Sequence, residues 1–280
     1  MAQRIEKKSK KSELPSVVRS IKGIEDLDEN HTCLFYGKSG RGKTKTAASF
    51  PSPVLFIDIN NEKGLKTVKQ VKGLKFARVK TWKDFEDLYW WLRDGQDYKT
   101  VVLDQITGLQ DLGMKAVRQH FKMDDDEPFQ GFKKWGKLSG DMKTWLGHYR
   151  ELSDLYNVVF IAHERAFGEG EEGDDMDPAV GARVIPSIGD FVSGACDIIG
   201  QSFIRSRKEK NAKGKTVSIP QYCMRIGPHP IYITKIRRPA EAGPLPEYVV
   251  DPTYQKLVKI ESGEDVNHNV VKKEKKHGKK

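Results

Sequence analysis

The sequence predicts an α/β fold: a mostly parallel sheet flanked by helices, with an antiparallel β extension towards the C-terminus. Three observations predict it. Short apolar, β-rich runs alternate with helical patterns between residues 32 and 165. A glycine-rich turn, Gly37 to Thr44, follows the first of these runs at once and leads into a helix-forming stretch. From about residue 197 the alternation gives way to strand-like runs joined by turns.

The elements follow in order. TCLFY (32–36) reads as a short buried strand, and SPVLFIDIN (52–60) as a second, ending near Asp58 with Glu62 close behind. LKFARVK (74–80) supplies a third. In TWKDFEDLYWWLRDG (81–95), Phe85, Leu88, Tyr89 and Leu92 share one helical face, Thr81 is a candidate N-cap, Gly95 a stop, and the aromatics are core. YKTVVLDQITGLQDLG (98–113) runs from a buried strand into Asp104 and then into a helix reaching about Phe121. A further helix over 136–156 leads to NVVFIAHER (157–165), a strand with His163 at its carboxyl end. Beyond it, DIIGQSFIRSR, KTVSIPQYCMRIG and HPIYITKIRR read as three strands of the extension, about 197–260. KMDDDEPFQGFKKWGK (122–137) and the acidic GEGEEGDDMD (168–177) stand out as loops, and there are no internal repeats. Strands alternating with helices form a parallel sheet covered on both faces, which binds ligands at the carboxyl ends of its strands.

The turn after the first strand carries the chemistry. Gly37, four residues, then Gly42, Lys43 and Thr44 match G-x-x-x-x-G-K-[ST], the phosphate-binding loop. Its glycines let successive backbone N–H groups point inward, so Gly37, Lys38, Ser39, Gly40, Arg41, Gly42, Lys43, Thr44 and Lys45 form the candidate nucleotide cradle. Lys43 reaches the β/γ-phosphates as a point charge, and Thr44 offers a hydroxyl to Mg²⁺. Asp104, ending a hydrophobic strand, stands where a Walker B carboxylate would hold that ion opposite Thr44. Hydrolysis also needs a group that orients or deprotonates water; Glu62 or Asp58 can supply it, the alternative for each being a solvated turn carboxylate. His163 is either a side chain contacting the γ-phosphate or an ordinary strand-end histidine.

Composition bounds the rest. At 280 residues the chain can bury one substantial core, and the expectation is one domain over 26–260 between a basic N-terminal tail (1–25) and a Lys-rich C-terminal tail (261–280). The net charge is +10, but residues 1–23 supply +5 and residues 261–280 supply +2, so most of the excess sits in tails and does not by itself signal nucleic acid. With no signal-like apolar stretch and nothing near the roughly 18 apolar residues of a membrane span, the expectation is a soluble, cytoplasmic protein without a membrane partner. Cys33, Cys196 and Cys223 lie far apart without C-x-x-C spacing, so they are expected to be reduced, packed thiols.

The order LFYGKSGRGKT, PVLFIDINNEKGL, TVVLDQITGL, NVVFIAHE and YITKIRRPAEAGPLPEYVVDPTY resembles the phage-encoded RecA-like ATPases, the AAA-domain nucleotide-binding proteins that include single-strand annealing proteins. The resemblance covers roughly residues 30–260. It implies a RecA-like P-loop core binding ATP and Mg²⁺, with Lys43 and Thr44 on phosphate and metal, Asp104 as the Walker B acid and His163 in the γ-phosphate sensor position. It also implies a homo-oligomer with ATP at subunit interfaces, where Lys235, with Arg237 or Arg238, reaches a neighbour's nucleotide. Two departures stand out. The insertion in DINNEKG delays Glu62, and the region after the sensor strand, which contacts single strands in RecA-like proteins, is acidic from Glu169 to Asp177.

Single-stranded DNA, with a single-strand DNA-binding protein as a further partner, is therefore expected to use another surface. One candidate is Phe129, Phe132, Lys133, Lys134 and Trp135, which combine stacking faces with cations; a helix start anchored by core aromatics is the alternative. The basic tip at 205–215, with Arg205, Arg207, Lys208 and Lys210, is the other, against a solvated hairpin end. The expected function is an ATPase promoting annealing or recombination. The competing readings are a P-loop small-molecule phosphotransferase, which would want an arginine-rich lid where this chain is acidic, and a nucleotide-dependent interaction module with little hydrolysis.

Overall fold

A computed structural model describes residues 18, 21–24, 30–59, 63–124, 126–167, 179–210, 212 and 214–264. Its centre is a 9-stranded sheet. The parallel part contains β1 (Thr32–Tyr36), β2 (Val54–Ile59), β3 (Leu74–Val79), β4 (Thr100–Asp104), β5 (Asn157–Ala162) and the first residues of β8 (Ile198–Lys210), in spatial order β8-β1-β5-β4-β2-β3. β9 (Thr216–Arg225) pairs antiparallel with β8 and with β11 (Val249–Val250), while β10 (Lys235–Ile236) continues the edge beside β8. A separate antiparallel pair joins β6 (Glu164–Phe167) and β7 (Ala179–Ala182).

The helices are α1 (Lys43–Ala47), α2 (Trp82–Arg93), α3 (Ile106–His120), α4 (Phe132–Glu151), α5 (Pro186–Ala195) and α6 (Tyr254–Glu261). Side chains alternate across the strands and so build two cores. Leu34, Ile57, Leu103 and Phe160 face one layer with Phe85 of α2, Leu109 of α3, Met142 of α4 and Ile188 of α5. Phe35, Phe56, Val102 and Val159 face the other with Ala47 of α1 and Leu257 of α6. Burial on both sides explains why the central strands read as unbroken apolar runs. None of the helices among the described residues is long and apolar enough to cross a membrane. Cys33, Cys196 and Cys223 are free and buried, and burial pushes each thiol up from its ordinary pKa.

Several expectations are corrected. β8 does not belong wholly to an antiparallel extension: Cys33 to Tyr36 pair in parallel with Ile198 to Gln201, so the parallel sheet continues through it before the hairpin begins. The run HPIYITKIRR yields only the two residues of β10, because β9 already occupies the edge of β8 from Gln201 onward. α4 begins at Phe132 rather than 136 and ends at Glu151, with a 3-10 turn at Leu152–Asp154. Its buried positions are Leu138, Met142, Leu146 and Tyr149, so the first turn packs no apolar side chain that periodicity could detect. The loop expected over 122–137 is accordingly shorter. α1 is a single turn, since Pro51 and Pro53 follow too closely for it to continue. The acidic run 168–177 and most residues of both expected tails lie outside the described residues.

Candidate functional site

The phosphate loop leaves the carboxyl end of β1 and passes close under β8. Built on Gly37, a Cβ would lie 2.4 Å from the Ser202 carbonyl oxygen, so only glycine fits this passage. Lys43 is buried, and its ammonium donates to the carbonyls of Gly37 at 2.8 Å and Lys38 at 3.0 Å. The loop thus curls around its own cation. Thr44 donates its hydroxyl to Asp104 Oδ2 at 3.0 Å, joining α1 to the end of β4. β5 lies between β1 and β4 in the sheet, which sets His163 between the loop and Asp104.

These groups surround one cavity of about 470 Å³. Seven of the nine cradle residues singled out in the sequence, Ser39 to Lys45, line it together with Asp58, Asp104 and His163; Gly37 and Lys38 contribute the carbonyls that hold Lys43. A Cβ on Gly64 would come within 3.7 Å of both Asp104 Oδ2 and Thr44 Oγ1, so three separate elements converge on a point with two hard oxygen donors. That donor set suits Mg²⁺, which keeps several waters and takes few protein ligands. The loop beside it holds Lys43, a cation of the kind a phosphate chain takes as its counter-charge.

Of the cavity-lining residues that sequence reasoning missed, Gln105 and Tyr222 touch its functional groups. Gln105, buried at the start of α3, hydrogen-bonds His163 Nε2 through its side-chain amide at 2.7 Å. The sequence carried no signal for it beyond adjacency to Asp104. Tyr222 of β9 packs over Gly42, where a Cβ would meet its ring at 3.1 Å, and the Lys45 ammonium sits 5.9 Å from the ring centroid. Tyr222 belongs to a strand about 180 positions away in sequence from the loop, so only the folded sheet reveals the contact. It also borders a second cavity of about 260 Å³ along the flank of α1, closed by Asp251 and Pro252.

Asp58 reaches the first cavity, but Arg78 holds it: Nε donates to Asp58 Oδ2 at 3.2 Å, and Asp58 is buried. Glu62 lies outside the described residues. Lys235 and Arg237 are not at their own chain's cavity. Lys235 donates to the Ser193 carbonyl at 2.6 Å, and Arg237 donates to the Gly194 carbonyl at 3.0 Å and to Asp197 at 2.8 Å. Both therefore grip the C-terminal end of α5, and burial, with Arg237 beside it, lowers the Lys235 pKa. Arg238 donates to the carbonyls of Ala242 and Gly243.

The DNA candidates are dispersed. Phe129 packs against the core and its ring meets Trp135 edge-on at 4.8 Å, while Lys134 is paired with Glu127 at 2.6 Å. Phe132, 93% exposed, and Lys133 project from the first turn of α4. The group is thus a helix start anchored by the Phe129–Trp135 contact and by Phe129 on the core, with Phe132 and Lys133 left exposed. On the hairpin, Arg205 donates to Gln221 at 2.6 Å and to Tyr248, whereas Lys208 and Lys210 are exposed near the tip.

A sheet covered on both faces, with a phosphate loop after β1 and its acidic partner ending β4, defines a RecA-like nucleotide-binding domain of the P-loop class. Comparison places it further: a family model described as an AAA domain matches residues 29–238, and the chain belongs to that AAA-domain family. No curated protein matches the chain. Among solved structures, the flagellar accessory protein FlaH from Methanocaldococcus jannaschii is similar, at 8% identity and a TM-score of 0.42, over 81% of this chain and 86% of that one.

Proposed function

We propose that this protein hydrolyses ATP with Mg²⁺ and, as a homo-oligomer, acts on single-stranded DNA in annealing or recombination. The observation that supports it is the meeting of Lys43, Thr44, Asp104, Gln105 and His163 at one cavity. In this reading Lys43 leaves the loop carbonyls for the β/γ-phosphates, and the loop N–H groups bind the chain of phosphates. Thr44 and Asp104 would hold Mg²⁺, which would supply neutralisation of the charge that develops on the phosphate oxygens. Asp58, or Glu62, positions the attacking water. His163, with its Nε2 engaged by Gln105, exchanges that bond for the γ-phosphate and so relays its presence to α3.

Lys235 or Arg237, presented by the edge beside β8, would serve the nucleotide of a neighbouring subunit. A single-strand DNA-binding protein is a further partner. The test is steady-state ATP hydrolysis at low salt with and without single-stranded DNA, with duplex DNA and Lys43→Ala as controls. Stimulation by single strands that Lys43→Ala abolishes is expected. Turnover indifferent to DNA would remove the DNA part of the proposal.

A further inference from the structure

Most of the segment that joins β2 to α2, from residue 63 onward, is charged in one sense only. Between residues 63 and 80 lie Lys63, Lys66, Lys69, Lys72, Lys75, Arg78 and Lys80, and no Asp or Glu. All seven are exposed. The first half forms a 3-10 turn over Gly64–Val68, where residues three apart eclipse, so Lys63, Lys66 and Lys69 fall on one side. The second half is β3, the edge strand of the sheet. Between turn and strand runs a groove of about 530 Å³, rimmed by Lys63, Lys66, Lys69, Lys75 and Arg78.

The floor of the groove is apolar, formed by Phe56, Val68 and Leu74 with Phe76, whose side chain stays 60% exposed. Arg78 lies over the Phe76 ring at 5.7 Å. Among the described residues one carboxylate, Asp58, reaches the groove, and Arg78 neutralises it. Among the described residues Lys63, Lys66, Lys69 and Lys72 have no ion-pair partner. Asp58 and Leu65 also line the nucleotide cavity, so the two spaces share a wall.

We propose that this groove binds single-stranded nucleic acid, the lysines tracking the phosphate backbone and Phe76 offering its face to an unstacked base. The inference rests on the DNA reading above and gives it a surface. Uncompensated cations beside an exposed aromatic form the combination that sequence-tolerant single-strand binding uses. An acidic protein segment would meet the cations equally well but would leave Phe76 without a planar partner. A duplex would hide its bases from the slot. Because Asp58 stands in both walls, nucleic acid drawing Arg78 towards a phosphate would loosen the Asp58 carboxylate beside the nucleotide, linking occupancy of the groove to hydrolysis.

The experiment is anisotropy titration of labelled oligo-dT with the full chain over a range of KCl, for the wild type, the triple variant Lys66→Gln/Lys69→Gln/Lys75→Gln, and Phe76→Ala. The triple variant is expected to bind about tenfold or more weakly at moderate salt, with a log–log salt slope shallower by about two, since each backbone contact to a single strand contributes roughly 0.7. Phe76→Ala is expected to weaken binding with the salt slope unchanged. Unstimulated ATP hydrolysis by both should equal that of the wild type. If the wild type does not bind oligo-dT, the DNA reading itself falls and the groove with it. If it binds and the triple variant matches it in affinity and slope, the reading stands and the groove is overturned. Unchanged DNA binding with a smaller sedimenting species would overturn it in favour of contact with a second copy of the chain.

Discussion

Gly37 and Lys43 show how closely the phosphate loop is built into its surroundings. The Gly37→Ala methyl has nowhere to go, because the obstacle is the β8 backbone at Ser202. This variant is expected to lower the Tm and weaken nucleotide binding together, which thermal melts with titration of a fluorescent ATP analogue would register. Lys43→Ala differs in kind. It removes a cation whose present partners are carbonyls of its own loop, so the fold should survive while hydrolysis falls by about a hundredfold or more. An ATPase assay beside a melting curve separates the two. Both residues were legible from the motif spacing alone. Gln105 was not, because its role depends on a histidine 58 positions away that only the β4–β5 pairing brings to 2.7 Å.

At the level of elements, α2 is a helix whose start the sequence announced. Thr81 accepts from the Asp84 N–H, and the Asp84 carboxylate accepts from the Thr81 N–H, a closed capping box. Thr81→Ala is expected to cost about 1 kcal/mol, read as a lower urea midpoint at constant m-value. α4 shows the opposite case, since its first turn projects outward and so left the hydrophobic pattern silent. β10 carries a different prediction. Lys235 and Arg237 are braced against the end of α5 in their own chain. If that brace presents a cation to the adjoining subunit's nucleotide, mixing Lys235→Ala with Lys43→Ala protein should restore turnover that neither has alone. No gain on mixing would leave these residues with the structural role only.

Across the whole molecule, the C-terminal helix closes the second core by a contact that depends on pH. His31, at the start of β1, lies 2.6 Å from Glu261 at the end of α6. Burial alone would lower the His31 pKa, but the Glu261 carboxylate, with Asp197 and the Asn157 side chain, outweighs it and holds the value above the ordinary 6.5. A group whose folded pKa is raised binds more protons folded than unfolded. Its stabilisation is therefore full below about pH 6.5 and fades as pH rises through the higher folded value. Melting temperatures of the wild type should fall from pH 6 towards 8 more than those of Glu261→Gln, whose profile should be flatter in that window. Equal profiles would mean that the pair carries no linkage.

The parallel sheet, the phosphate loop, Thr44, Asp104 and the strand ending at His163 could all be read from the chain. Each depends on short-range information: an apolar run, a glycine spacing, or a polar residue where a buried strand ends. Tyr222 over Gly42, the entry of β8 into the parallel sheet, the bracing of Lys235 on α5 and the groove beside β3 required the tertiary structure. The lysines of that groove are plain in the sequence, spaced at three from Lys63 to Lys75. Their convergence on one slot with Phe76 is not, because a surface is made by elements meeting across space, and strand pairing rather than sequence separation decides which ones meet.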